Sequence, residues 1–304
     1  MLKHRTSVNR TSVICTGLLL FLLLLTSCGS SPSTASATPT PKPNLAPTHY
    51  TSRVYYQGTS KPDDLVFDLQ GRILFSDGYH GTVGRINADG TVTILASGLQ
   101  RPEGLVVLPD GTLIIAEQKP NRILSLAPGA HSVTVLRQLP GSTGSGSCKN
   151  GTNGITYDAA NQTILVPDSP TGNLYSLSTD GKTLTQLVTG MNNPDSAVAD
   201  SQGNIYIDVE CGGSIWRLDT SGKITRYGGF GMLDDIIFDP HGNLLLTDVS
   251  PSVHGLIRFN LVTGQRVILA SQGYEKPEGL LVDARDDIYL ADDDIGKVVE
   301  YIPA

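Results

Sequence analysis

Six oxygen-bearing side chains recur along the chain at intervals of 39 to 50 residues: Asp63, Glu103, Asn153, Asp195, Asp234 and Glu278. Each stands at the head of an apolar run, in "DDLVFD", "EGLVVL", "NGITYD", "DSAVAD", "DDIIFD" and "EGLLVD". None of the six is basic, and none is His or Cys. Brought to one place, they form a ring of hard oxygen donors carrying several negative charges. Such a ring repels itself and loses hydration on burial, a cost relieved when a cation sits among the oxygens. Donors of this kind suit one divalent cation, Ca²⁺ ahead of Mg²⁺, with Mn²⁺ and Zn²⁺ as further candidates. The competing reading is local: a polar residue before Gly also caps backbone N–H groups at a turn. Six parallel copies favour the cation.

The elements that must position these residues are themselves repeated. Each copy reads apolar run, turn, apolar run, carboxylate, as in "EGLVVLPDGTLIIAE" and "DDIIFDPHGNLLLTD". Two further short strands follow, as in "GTVGRINADGTVTILASG". Period-2 patterning, turn triplets and the near absence of helical periodicity make each unit four antiparallel strands. Units of about 40 residues with this content are the pattern of a β-propeller, whose blades bury their faces against neighbours. The fold class is therefore all-β, a six-bladed propeller of four-stranded antiparallel blades. The sixth copy places strands at 278–283, 287–291 and 297–302 and then ends one strand short. "SRVYYQG", residues 52–58, is similar to the outer strands "QRVILASQG" and "TVTILASG". It is expected to complete the last blade and remove an open sheet edge. First strands line the channel of a propeller, which brings the six heads together on one face.

A second set of carboxylates ends the second strands: Asp77, Glu117, Asp168, Asp208, Asp248 and Asp292. Their regularity reads mainly as bonding to the neighbouring hairpins, with Asp208 and Asp292 also placed at an acidic rim of the funnel. Tyr79 and His80 follow the second strand of the first blade and are expected to overhang that funnel. There is no G-x-S-x-G elbow, Gly-rich phosphate loop or H-x-x-x-H pair. Cys148 lies in the long Gly/Ser-rich loop "GSTGSGSCKNGTNG" and Cys211 in "VECGGS" of the next blade. In an exported chain such a pair reads as a disulfide, here one that pins a loop beside the channel mouth.

The N-terminus supports export. Lys3, Arg5 and Arg10 precede the apolar "VICTGLLLFLLLL", and "LTSC" resembles a bacterial lipobox. That resemblance implies a signal peptide over 1–27, lipidation of Cys28, and an extracytoplasmic protein anchored to the membrane through that lipid alone. Residues 28–48 are rich in Ser, Thr and Pro and read as a disordered tether to a propeller over 49–304. With 29 acidic against 22 basic residues and no Lys/Arg run, nucleic acid is excluded as a partner. A monomer acting on a small molecule is expected.

The repeated "PEGL" strand heads and "AD"-type strand ends resemble the regucalcin, gluconolactonase and luciferin-regenerating-enzyme group of six-bladed propellers, and overlap with the NHL-repeat propellers. The first resemblance implies a channel cation held by a Glu, an Asn and an Asp, and hydrolysis of a lactone or related ester. "TNGITYD" supplies Asn153 and "NPDSAVAD" supplies Asp195, which is also the implied general base. Glu278 heads the blade opposite Asn153 and is the first choice for the Glu, with Glu103 second. The first blade, where the group carries its Glu, here offers Asp63. The NHL resemblance implies instead a non-catalytic propeller that binds a ligand or protein on its funnel face.

Overall fold

The computed structural model describes residues 46–144 and 150–304. The signal and lipidation features, Cys28 included, and Cys148 lie outside the described residues. Within them the chain forms 24 strands and a single 3-10 turn, Glu210–Gly212. No helix among the described residues is long and apolar enough to cross a membrane.

The strands make six four-stranded antiparallel sheets. Blade I comprises β2 (Leu65–Phe67) to β5 (Val92–Ser97), and blade II β6 (Pro102–Val107) to β9 (Thr134–Gln138). Blade III comprises β10 (Thr156–Asp158) to β13 (Leu184–Val188), and blade IV β14 (Pro194–Ala199) to β17 (Ile224–Gly228). Blade V runs from β18 (Leu233–Phe238) to β21 (Arg266–Ala270). Blade VI takes β22 (Pro277–Val282), β23 (Ile288–Asp292) and β24 (Lys297–Pro303) from the C-terminus and β1 (Tyr50–Gln57) from the N-terminus. β1 pairs with β24 from Tyr50 opposite Pro303 to Gln57 opposite Lys297, so the ring closes as its sequence pattern predicts.

Burial explains why the second strands read as continuous apolar runs. β3 (Ile73–Asp77), β7 (Leu113–Glu117), β15 (Ile205–Val209), β19 (Leu244–Asp248) and β23 are buried at every position. A strand covered on both faces has no use for alternation. The core is divided among six clusters, each spanning two neighbouring blades. Leu74 of blade I packs with Leu105 and Ile115 of blade II, and Tyr56 and Tyr289 of blade VI pack with Phe75 of blade I. No blade has a core of its own, which is why the repeat folds only as a ring.

Polar staples join the blades near the axis. Asp64 of blade I accepts from the backbone N–H of Leu105 in blade II at 2.6 Å. Asp235 of blade V accepts from Leu280 N–H of blade VI at 2.8 Å and from the Ser196 hydroxyl of blade IV at 3.0 Å. The matching position in blades II, III and VI is Gly104, Gly154 or Gly279, because the neighbouring first strand leaves no room. A Cβ on Gly279 would lie 2.0 Å from the Asp63 carbonyl oxygen, and one on Gly104 2.4 Å from that of Asn153. Gly279→Ala is therefore expected to cost about 1–3 kcal/mol of stability through overpacking. Gly228→Ala, where a Cβ meets nothing within 4 Å, should stay within about 0.5 kcal/mol of the parent. Urea denaturation of the two variants checks the contrast.

Candidate functional site

The carboxylates reach the axis through a recurring defect in the first hairpin. Pairing shifts register between Pro102 and Leu105, Pro194 and Ala197, Leu233 and Ile236, and Pro277 and Leu280. In each case two residues face one on the second strand, which is a β-bulge, and a bulge re-aims its side chains. Glu103, Asp195, Asp234 and Glu278 are each the first residue of such a bulge. Asp63 and Asn153 stand just ahead of the shorter strands β2 and β10. Five of the six heads are carboxylates; Asp63, Glu103, Asp195 and Glu278 are buried, while Asn153 and Asp234 are half-buried.

Two sets of direct contacts involve the heads. Asp63 and Glu278 come together with Asp293, each offering an oxygen within 4.8 Å of the others. Lys276 Nζ contacts Glu278 Oε1 and lies 3.5 Å from Asp293 Oδ2, and Arg101 Nε donates to Glu103 Oε1. The remaining oxygens, Glu278 Oε2 and Asp293 Oδ1, are buried without a hydrogen-bond partner. On the other side, Asn153 Nδ2 donates to Asp195 Oδ2 at 3.0 Å. Asp208 Oδ1 accepts from Ser196 N–H, while its Oδ2 is buried without a partner. Glu210, on the 3-10 turn, accepts from Asn193 Nδ2. Among the described residues no ion pair reaches Asp195, Asp208, Glu210 or Asp234.

This differs from the arrangement inferred from the strand heads in two respects. The heads carry no basic residue, yet Lys276 and Arg101 stand two positions upstream in "KPEG" and "RPEG" and neutralise part of the ring. Asp293 is a further addition, and its signal was the acidic run "ADDD" after the last second strand. Arg101 adopts a left-handed φ of 60° although it is not glycine, a strain of the kind found where surrounding structure over-determines a conformation. Its side chain runs over Gly78, where a Cβ would lie 3.2 Å from Arg101 Cγ. A cavity of about 250 Å³ opens here, lined by Asp63, Gly78, Tyr79, Arg101, Lys119 and Asp293.

The second-strand carboxylates anchor the segments leading into the first strands. Asp77 accepts from Lys61 N–H at 2.9 Å, Glu117 from Gln100 N–H at 2.6 Å and Asp248 from Gly231 N–H at 2.9 Å. Asp292 bonds the N–H groups of Glu275 at 2.7 Å and Lys276 at 3.1 Å, which fixes the backbone that carries Lys276. His80 is held with Nδ1 2.7 Å from Asp77 Oδ2, and Tyr79, 63% exposed, donates to Asp294 at 2.7 Å on the outer rim. Cys211 lies within the 3-10 turn beside Glu210, and its carbonyl accepts from Asn192 Nδ2 at 3.2 Å.

Burial is the first cause that pushes the carboxyls of Asp63, Asp195, Asp234 and Glu278 well above the usual carboxylate range; neighbouring carboxylates add to it, and Lys276 opposes it at Asp234 and Glu278. At Asp63 the neighbouring Glu103 is the foremost of these carboxylates. Lys276 is held cationic by the carboxylates around it, Glu278 foremost, against the opposing effect of its own burial. The site is thus a set of oxygen donors with excess negative charge, relieved by protons and by two tethered cations.

No family model and no curated protein sequence matches the chain. Solved structures do. Virginiamycin B lyase from Staphylococcus aureus is similar over 78% of this chain and 79% of its own, at 17% identity and a TM-score of 0.61. A gluconolactonase-family protein aligns over 85% of this chain and 94% of its own, at 15% identity and a TM-score of 0.64. A chain of the nidogen–laminin complex aligns over 68% and 78%, at 16% identity and a TM-score of 0.59. At such identities the likeness is one of fold, and this fold carries unrelated activities.

Glu210 makes the electrostatics testable, because burial raises its pKa from 4.5 to about 6. A carboxyl raised on folding stabilises the fold below its ordinary pKa and loses that contribution as pH rises through the folded value. The melting temperature of the parent should therefore fall relative to Glu210→Gln between pH 4.5 and about 6. A difference between the two that stays flat across this window would contradict the assignment.

Proposed function

We propose that the funnel binds one divalent cation, Ca²⁺ foremost, and that the protein is a metal-dependent hydrolase of the gluconolactonase type acting on a lactone or related ester. The observation that carries this reading is the convergence of Asp63, Glu278 and Asp293, with Glu278 Oε2 and Asp293 Oδ1 buried and unpartnered. An all-oxygen donor set of this kind fits Ca²⁺ or Mg²⁺, and accommodates Mn²⁺ or Zn²⁺ less well. When bound, the cation supplies Lewis-acid polarisation of a carbonyl and a more acidic water.

The chain's own residues do the rest. Glu278, Asp63 and Asp293 would hold the ion, in place of the combination Glu278, Asn153 and Asp195 suggested by resemblance. Asn153 instead orients Asp195 by its amide N–H, and Asp195 takes the proton from the attacking water. Burial raises the pKa of Asp195, and a carboxylate of raised pKa is a stronger base near neutrality. Glu103 stays on Arg101 at the edge of the ring. Tyr79 and His80 shape the funnel rim rather than react, and Asp208 and Asp292, both buried, hold the backbone at Ser196 and at Glu275–Lys276. In the same proposal the protein is an exported monomer, anchored through a lipid on Cys28 to an extracytoplasmic membrane face. A Cys148–Cys211 disulfide pins the loop that follows β9.

A second reading is favoured by Lys276 and Arg101, which already neutralise part of the ring as an ion-free propeller would require. In it the protein is a non-catalytic NHL-like propeller that holds a ligand or partner on the funnel face. Elemental analysis of the purified chain separates the two, one tightly held ion per chain favouring the hydrolase.

Chelation should abolish lactone hydrolysis, and Ca²⁺, Mg²⁺, Mn²⁺ or Zn²⁺ should restore it. Asp195→Asn should lower kcat by about 10²–10⁴-fold, the range of a lost general base, with the bound ion retained. Glu278→Gln should lose the ion. Inactivity of the metal-loaded protein across a broad lactone panel would overturn the hydrolase.

A further inference from the structure

A cavity of about 460 Å³ lies away from the funnel, at the joint of blades I and II. That size is ordinary for a small-molecule site. Leu74, Leu113 and Leu126 form its apolar wall, and Leu69 and Ile94 stand at its rim, 59% and 50% exposed. Arg85, half-buried on β4 (Thr82–Ile86), faces the same cavity. Its guanidinium bonds only neutral groups, Asn87 Oδ1 at 3.2 Å and Thr93 Oγ1 at 3.4 Å, and makes no ion pair among the described residues.

The repeat supplies its own comparison. Arg258 of blade V occupies the position of Arg85, opposite Leu245 as Arg85 is opposite Leu74. Arg258 pairs with Asp239 of its own hairpin at 2.8 Å and with Asp286 of the next blade's hairpin at 3.2 Å. That joint is also covered by the chain itself: Arg258 donates to the Pro47 carbonyl and to the Tyr50 hydroxyl at 2.6 Å. At the joint of blades I and II both carboxylates are withdrawn. Asp68, the counterpart of Asp239, is engaged by Arg72 at 2.6 Å. The counterpart of Asp286 is Gly111, each being the left-handed third residue of its turn, with φ of 66° and 87°. Asp110 is nearby, with Oδ1 accepting from its own turn at Thr112 N–H, 2.9 Å. His131 completes the ionisable lining.

We propose that this groove binds a small amphipathic carboxylate, whose head group pairs with Arg85 and whose apolar body lies on Leu74, Leu113 and Leu126. The ligand supplies the negative charge that Asp286 supplies to Arg258, and fills the volume that residues 47–50 fill there. The site is independent of the funnel and of any reaction in it.

The test is calorimetric titration of the full chain with octanoate and with uncharged octanamide. Octanoate should bind saturably, with octanamide about tenfold weaker for want of a charge-assisted pair. Arg85→Gln should bring octanoate down to the octanamide level. Gly111→Asp should abolish octanoate binding by giving Arg85 an internal partner; Asp286 shows that Asp is accommodated at this backbone conformation. Asp195→Asn in the funnel should leave binding unchanged. Melting temperatures verify that the variants fold, and Arg85→Gln alone decides the matter if Gly111→Asp does not. The proposal fails if octanoate does not saturate, if Arg85→Gln binds it as the parent does, or if Asp195→Asn removes it.

Discussion

Six first strands packed around one axis leave too little room for ordinary side chains, and much else in the molecule follows from that crowding. At Gly104, Gly154 and Gly279 a Cβ would lie within 2.0–2.5 Å of the neighbouring blade. Where the neighbour gives way, Asp64, Ser196 and Asp235 occupy the same position and bond across to the adjacent strand. Large and absent side chains thus interlock around the ring. The bulges that accommodate this packing turn Glu103, Asp195, Asp234 and Glu278 out of their ladders. Packing and chemistry share one cause.

The price of that geometry is like charge at close quarters among buried side chains. Protonation relieves part of it, since burial favours the neutral carboxyl. Lys276 and Arg101 relieve more on the side of blades I, II and VI. Among the described residues Asp195, Asp208, Glu210 and Asp234 make no direct ion pair, Lys276 acting on Asp234 and Glu210 only at longer range, and Asn153 serves Asp195 with a neutral donor.

Divergence among equivalent positions is where a repeat acquires function. Arg85 and Arg258 share a register but not an environment, because Gly111 stands where Asp286 does and Arg72 draws Asp68 away. The second-strand carboxylates show the opposite behaviour. Asp77, Glu117, Asp248 and Asp292 all receive backbone N–H groups from the approaching segment and remain structural.

The sequence by itself determined the all-β class, the six four-stranded blades and the closure by β1, because these rest on local patterning and on the rule that every sheet face must be covered. It also placed Asp63, Glu103, Asn153, Asp195, Asp234 and Glu278 at the strand heads. Which of them meet was decided by tertiary structure alone. Asp63 and Glu278 are 215 residues apart in sequence, and only ring closure sets blade I against blade VI. The grouping of Glu278 with Asp293, the pairing of Asn153 with Asp195 and the intrusion of Lys276 depend on bulge geometry and blade rotation. Those are sub-ångström to few-ångström quantities that residue spacing does not encode. The open joint beside Arg85 is of the same kind, since Arg258 gains its second carboxylate, Asp286, from the neighbouring blade, whereas Arg85 meets only Asn87 and Thr93 of its own.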